Sequence, residues 1–159
     1  MSDLYARDFV AWTEQQAQLL RDLAARGTNL PLDWEHLAEE VEGLGRSELH
    51  ALASQIRRVI VHLLKLEFSP ATGPRRGWRE TVRNARAEIE SLLQSDPGLR
   101  PRLSGLIAGE SVRAGRLAAA ALADRDEDAA GVLARLRSAE TYAEAQVLGD
   151  FLPEHAGHE

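Results

Sequence analysis

The side chains able to do chemistry in this 159-residue sequence are few, and they are scattered. There is no cysteine, which removes thiolate nucleophiles, disulfides and thiolate metal sites. No glycine-rich phosphate loop and no nucleophile elbow occurs. Ser47, Ser54 and Ser111 fall among helical neighbours that read as solvent-side residues, which makes them poor nucleophile candidates. What stands out are polar residues at positions where helical phase calls for apolar ones. At 100° per residue, Gln16 lies within roughly 20° of Phe9. Glu110 falls at the centre of a stripe formed by Leu103, Leu106, Ala114 and Leu117, and Glu40, Gln55, His62 and Arg86 sit at the edges of theirs.

Turned inward, these six residues make one polar core cluster, with Glu40, His62, Arg86 and Glu110 as candidate catalytic groups for metal-dependent or acid/base chemistry. The structural alternative is preferred. A buried carboxylate is costly unless paired, and Arg86 is the natural partner for Glu40 or Glu110, with Gln16 and His62 completing the hydrogen bonding. For a metal, His36 and Glu40 stand four apart on one helix face, and His62 lies further along. With five histidines in all, His155 and His158 among them in the tail, the ligand supply is thin, and no cofactor is predicted. Arg75, Arg76, Arg79 and Arg83 step towards Arg86 as a rail that could follow phosphates. Glu80, Glu88 and Glu90 interleave with it, so it reads as a solvated face or one docked on the acidic stretch Glu35 to Glu42.

The elements that must position these groups are helices. Apolar residues recur at helical spacing nearly everywhere, and no segment alternates like a strand for long. A first helix is expected from about Leu4 to Ala25, with Phe9, Trp12, Leu20 and Leu23 on its inner face and Gly27 as a left-handed stop. Asp33 caps a second, in which Trp34, Leu37, Val41 and Leu44 lead into Leu52, Ile56, Val59, Leu63 and Leu66. This reads as one long helix to about Phe68, with a kink possible at Gly43 and Gly45. A third runs from about Trp78 to Gln94 on a seam of Trp78, Val82, Ala85, Ile89 and Leu92. A fourth, after a turn at Asp96-Pro97, reaches about Ala123 with Leu99, Leu103, Leu106, Ala114, Leu117 and Ala121 inward. Ala129 to Arg137 is a short fifth helix, and Thr141-x-x-Glu144 reads as a capping box for the last, ended by Gly149. Residues 155–159 are expected to fray. Trp34 and Trp78 read as core anchors.

The fold class is therefore all-α: four main helices and one or two short C-terminal ones, in a single domain over 1–159. The net charge of −6 is layered, −6 over residues 1–45, +5 over 46–102 and −5 over 103–159. An acidic total argues against a nucleic-acid partner. Residues 1–7 lack the pattern of a signal peptide, and the longest apolar run, Leu117 to Ala123, is too short to span a bilayer, so no membrane partner is expected. Lys65 is the sole lysine among 19 basic residues, which fits a GC-rich bacterial genome, and the missing cysteine fits a reducing cytoplasm.

Several short motifs occur in a familiar order. Tyr5, Asp8-Phe9, Trp12 and Gln16 come first, then Glu39-Glu40-Val41-Glu42-x-Leu44-Gly45 and His62-Leu63-Leu64-Lys65. Trp78-x-x-Thr81-Val82-x-x-x-Arg86 and Phe151-Leu152-Pro153 follow. Together they resemble the bacterial domain of unknown function twenty-nine family, from about Leu4 to Glu154. The resemblance implies an all-helical bundle and no particular reaction. The stretch Asp124 to Arg137 departs from the family pattern.

The preferred reading is a cytoplasmic, non-catalytic module that binds another protein and that could also pair with itself through its second and fourth helices. The rivals are an enzyme built on Glu40, His62, Arg86 and Glu110, and a nucleic-acid binder using the Arg75–Arg86 rail. A solvent-reachable cavity lined by Glu110 and His62 favours the enzyme; a dry, paired cluster favours the module.

Overall fold

The computed structural model describes residues 3–156, so the tail at 157–159, His158 included, lies outside the described residues. Among them helices are the only regular secondary structure: α1 (Leu4–Arg7), α2 (Phe9–Arg26), α3 (Trp34–Phe68), α4 (Arg75–Ser95), a 3-10 helix (Pro97–Arg102), α5 (Leu103–Ala123), α6 (Ala130–Ser138) and α7 (Glu144–Leu148). Four long helices and two short C-terminal ones match the expectation. Residues up to Leu52, with Leu92–Pro101, form one compact unit, and Ala53–Ser91 with the chain from Arg102 on form a second. No helix of the described residues is long and apolar enough to cross a membrane.

In the first unit, the expected first helix is broken at Asp8. The Asp8 carboxylate accepts from the Ala11 backbone N–H at 2.9 Å and so starts α2 afresh. Asp96, from the end of α4, reinforces that start: its Oδ1 accepts from the Phe9 N–H at 3.2 Å and from the Gly98 N–H at 3.0 Å. Gly98 is required there, because a Cβ would overlap Asp8. At the other end Gly27 takes a left-handed φ of 69° and stops the helix as expected.

The inner face of α2 is not the expected one. Val10, Thr13 and Ala17 are buried, whereas Phe9, Trp12 and Leu20 are half-buried and Leu23 is exposed. The first half of α3 behaves in the same way: Ala38 and Gly45 are buried while Leu37 and Leu44 are exposed. The reason is a close helix crossing. A Cβ on Gly45 would overlap Thr13 Oγ1 and lie 3.5 Å from Val10 Cα, so the two backbones approach nearer than large side chains allow. Thr13 fits by turning its hydroxyl back onto the Val10 carbonyl at 2.7 Å. Gly45 thus serves the packing and does not break α3, which is continuous through Gly43 and Gly45.

The second unit is packed with large residues. Leu52 of the first unit and Ile56, Val59, Leu63 and Leu66 of the second continue along α3 as expected and are fully buried. Trp78, Val82, Ala85 and Ile89 of α4 are buried as expected, and Leu93 of the first unit replaces Leu92. In α5 the buried residues are Leu103, Ile107, Glu110, Ser111, Ala114, Gly115, Ala118 and Leu122, and Leu117 is exposed. The expected Leu106, Leu117 and Ala121 each fall one residue short of the buried Ile107, Ala118 and Leu122. Small residues again permit close approach: a Cβ at Gly131 would overlap the Phe68 ring. The α7 cap also differs from the expected Thr141/Glu144 box. The Ala143 N–H donates to Gln146 Oε1 at 2.8 Å, and Tyr142 is buried.

Candidate functional site

Within neither compact unit do the residues of the expected polar cluster pair with one another. Gln16 and Glu40 belong to the first unit; Gln55, His62, Arg86 and Glu110 belong to the second. Glu40 is exposed and Gln16 half-buried. Glu110 is buried, at 4% exposure, but its partner is not Arg86. Its Oε2 accepts from Arg57 at 3.1 Å and its Oε1 from Arg113 at 2.9 Å. Arg113, one turn after Glu110, was legible from spacing; Arg57, 53 residues away, was not. Arg86 instead clamps the C-terminal segment, donating to the carbonyls of Gln146 at 2.7 Å, Val147 at 2.9 Å and Phe151 at 2.7 Å. It ties off the orphan carbonyls around α7, a structural task. His62 donates from Nδ1 to the Arg58 carbonyl at 2.8 Å. Burial holds its pKa below the ordinary histidine value, with Lys65 and Arg58 pushing the same way. Gln55 Oε1 is buried without a hydrogen-bond partner among the described residues.

The weak metal set fares similarly. His36 pairs with Asp33 at 2.6 Å on an exposed surface, and His62 stands about six turns of helix beyond Glu40. Among the described residues no three His, Asp or Glu side chains converge as a metal requires. In the arginine rail, Arg75 is occupied. It donates to the carbonyls of Leu66 at 2.8 Å and Ser69 at 3.3 Å and so caps the end of α3. Arg76, Arg79 and Arg83 are exposed among Glu80, Glu88 and Glu90, which are exposed too. That is a solvated face.

Sequence reasoning missed a second polar group. The Tyr142 hydroxyl donates to the Glu67 carboxylate, Arg135 donates to the same oxygen at 2.6 Å, and the Arg135 guanidinium lies 4.4 Å from the Tyr142 ring centre. Burial and the neighbouring carboxylate raise the Tyr142 pKa well above the usual phenol value, so it stays a donor. Beside it, Ser111, Arg135, Leu136 and Thr141 line a cleft of about 180 Å³. A ligand pocket is larger, roughly 300 Å³ or more, so this cleft suits a single side chain. A smaller space of about 20 Å³ adjoins it, room for one water. Neither is lined by Glu40, His62, Arg86 or Glu110.

The most distinctive surface is on the first unit. Arg21 meets Glu42 at 2.8 Å, and Gly45 meets Thr13, so α2 and α3 run antiparallel. By helical phase, Phe9, Trp12, Gln16, Leu19 and Leu23 step 3,4,3,4 along α2, roughly 110° from its buried seam. Leu37, Val41 and Leu44 lie roughly 95° from the seam of α3 in the same sense. Arg21 and Glu42 mark the opposite side, so both stripes share one side of the hairpin. Leu19 is 51% exposed and Leu44 54%. Tyr5 extends the face, its ring edge-on to Phe9 at 5.5 Å and to Trp12 at 4.8 Å.

The family model of the domain of unknown function DUF29 matches residues 4–130, most of the chain. The chain belongs to the DUF29 family. A solved structure of an alpha-helical protein of unknown function from Rhodospirillum rubrum is 30% identical to this DUF29 chain. Their superposition has a TM-score of 0.64 and covers 86% of this chain and 99% of that one. No curated protein matches. The family match bears out the resemblance read from Tyr5 through Arg86; the Phe151-Leu152-Pro153 ending lies beyond the matched residues.

Proposed function

We propose that this DUF29 chain is a non-catalytic protein-interaction module that docks a partner on the apolar side of the α2–α3 hairpin. The observation that carries this reading is the inverted packing of that hairpin. Its seam uses Val10, Thr13, Ala17, Ala38 and Gly45, while Leu19, Leu23, Leu37 and Leu44 are exposed and Phe9, Trp12 and Val41 only half-buried. Leaving several leucines and an aromatic group in water on one contiguous side has a use only if something covers them. The groups that would have argued for catalysis have structural occupations instead: Glu110 with two arginines, Arg86 with three carbonyls. The cysteine-free sequence fits work in a reducing cytoplasm.

The test is sedimentation of tagged chain in an extract of the source cells. Wild type is expected to travel well above its 17.5 kDa mass, and a Leu19→Glu/Leu44→Glu variant near it. Monomer-like sedimentation of both, in fresh extract, would sink the proposal.

A further inference from the structure

We infer that the occupant of this face is a basic amphipathic helix of another protein. The inference rests on the interaction reading above and adds the chemistry of the partner. Two antiparallel helices with apolar stripes on one side present a furrow, and a third helix fills such a furrow with residues at i, i+3, i+4 and i+7. The α2 stripe, from Phe9 to Leu23, is about 21 Å long, the length of a four-turn helix.

The rim decides the charge of the guest. On the same side of α3, Glu40 is exposed and Glu48 half-buried, and neither forms an ion pair among the described residues. Asp22 stands on the outer edge of α2, where among the described residues it accepts from the neutral Gln18 amide at 2.9 Å and from no cation. Against these acids stands Arg26 at the loop end. Residues 1–45 as a whole carry −6. A second copy of the chain would bring the same acids to the same rim, and lipid or nucleic-acid phosphates would meet them as like charges. A helix with an apolar stripe flanked by Lys or Arg satisfies both the furrow and the rim. Gln16 sits mid-stripe, where a polar residue fixes the register of a helix pair.

The probes are two model helical peptides of eighteen or so residues with one leucine stripe, one flanked by Arg and Lys, the other by Glu. Calorimetry at low and at moderate salt is expected to show the basic peptide binding at least tenfold more tightly than the acidic one. Glu40→Lys/Glu48→Lys should erase that preference, Glu40→Gln/Glu48→Gln should reduce it, and Leu19→Glu/Leu44→Glu should abolish binding, with helix content checked for each. Equal binding of both peptides overturns the inference, as does a dimeric mass of the purified chain that Leu19→Glu abolishes. If large complexes form in extract but the basic peptide is not preferred, the interaction reading stands and the partner class is wrong.

Discussion

Single residues in this chain reveal their roles through their partners. Glu110 interrupts an apolar stripe, where a paired carboxylate was the preferred reading over a catalytic one, and its partners are Arg57 and Arg113. Because Arg113 is largely exposed, part of that attraction is screened, and Glu110→Ala is expected to lower stability by about 1–2 kcal/mol in urea denaturation. The Glu110→Leu/Arg57→Leu pair should recover most of it, since apolar packing replaces a buried ion pair well. Arg86→Ala removes three charge-assisted bonds to carbonyls and should cost about 2–3 kcal/mol, with earlier proteolysis after α6. The histidines separate by sign. His36 has a raised pKa, from its hydrogen bond to Asp33, so the stability it adds is present below the unfolded value and lost as pH rises through the folded one. His62 has a lowered pKa, from burial, so its contribution is present above the unfolded value and lost as pH falls towards the folded one. Titration followed by NMR should place His36 above the ordinary histidine value and His62 below it.

At the scale of elements, periodicity located the helices and misjudged some of their faces. The span Trp34–Phe68 and the stop at Gly27 were legible because capping, glycine and a continuous stripe all agreed. The break at Asp8 was not, because Asp96, 88 residues later in sequence, helps to make it. Hydrophobic size misled most in the hairpin, where the seam is built of small residues and Leu37 and Leu44 face outward. A preference for large residues inside assumes that burial of area dominates; a close crossing gains contact between backbones instead. Of the candidate site, Arg113 was readable from Glu110 at helical spacing, whereas Glu67, Tyr142 and Arg135 meet only in the folded chain. Two glycines on either side of Leu44 test this directly. Gly45→Ala drives a methyl into Thr13 and should cost about 1–3 kcal/mol. Gly43→Ala meets only the far end of Arg46, 3.8 Å away, and should gain about 0.5–1 kcal/mol of helix propensity. Equal effects in thermal unfolding would contradict the close crossing.

For the molecule as a whole, the two compact units differ in character. The second buries Ile56, Ile60, Leu63, Leu66, Ile89 and Leu103 and leaves Leu117 and Leu133 exposed; in the first, the α2–α3 hairpin closes on small residues and exposes Leu19, Leu23, Leu37 and Leu44. Leu19→Glu is accordingly expected to change stability by less than about 0.5 kcal/mol, as surface substitutions do, while it removes association. The proposed interaction requires that exposed side to be a docking surface. The most direct measurement is photo-cross-linking in the source cells, with a photoreactive amino acid placed at Leu19, at Leu44 or, as a control, at exposed Arg79. The account predicts one discrete adduct from Leu19 and Leu44, its partner segment basic and helical, and none from Arg79. No adduct from either leucine, or the same adducts from all three positions, would contradict it.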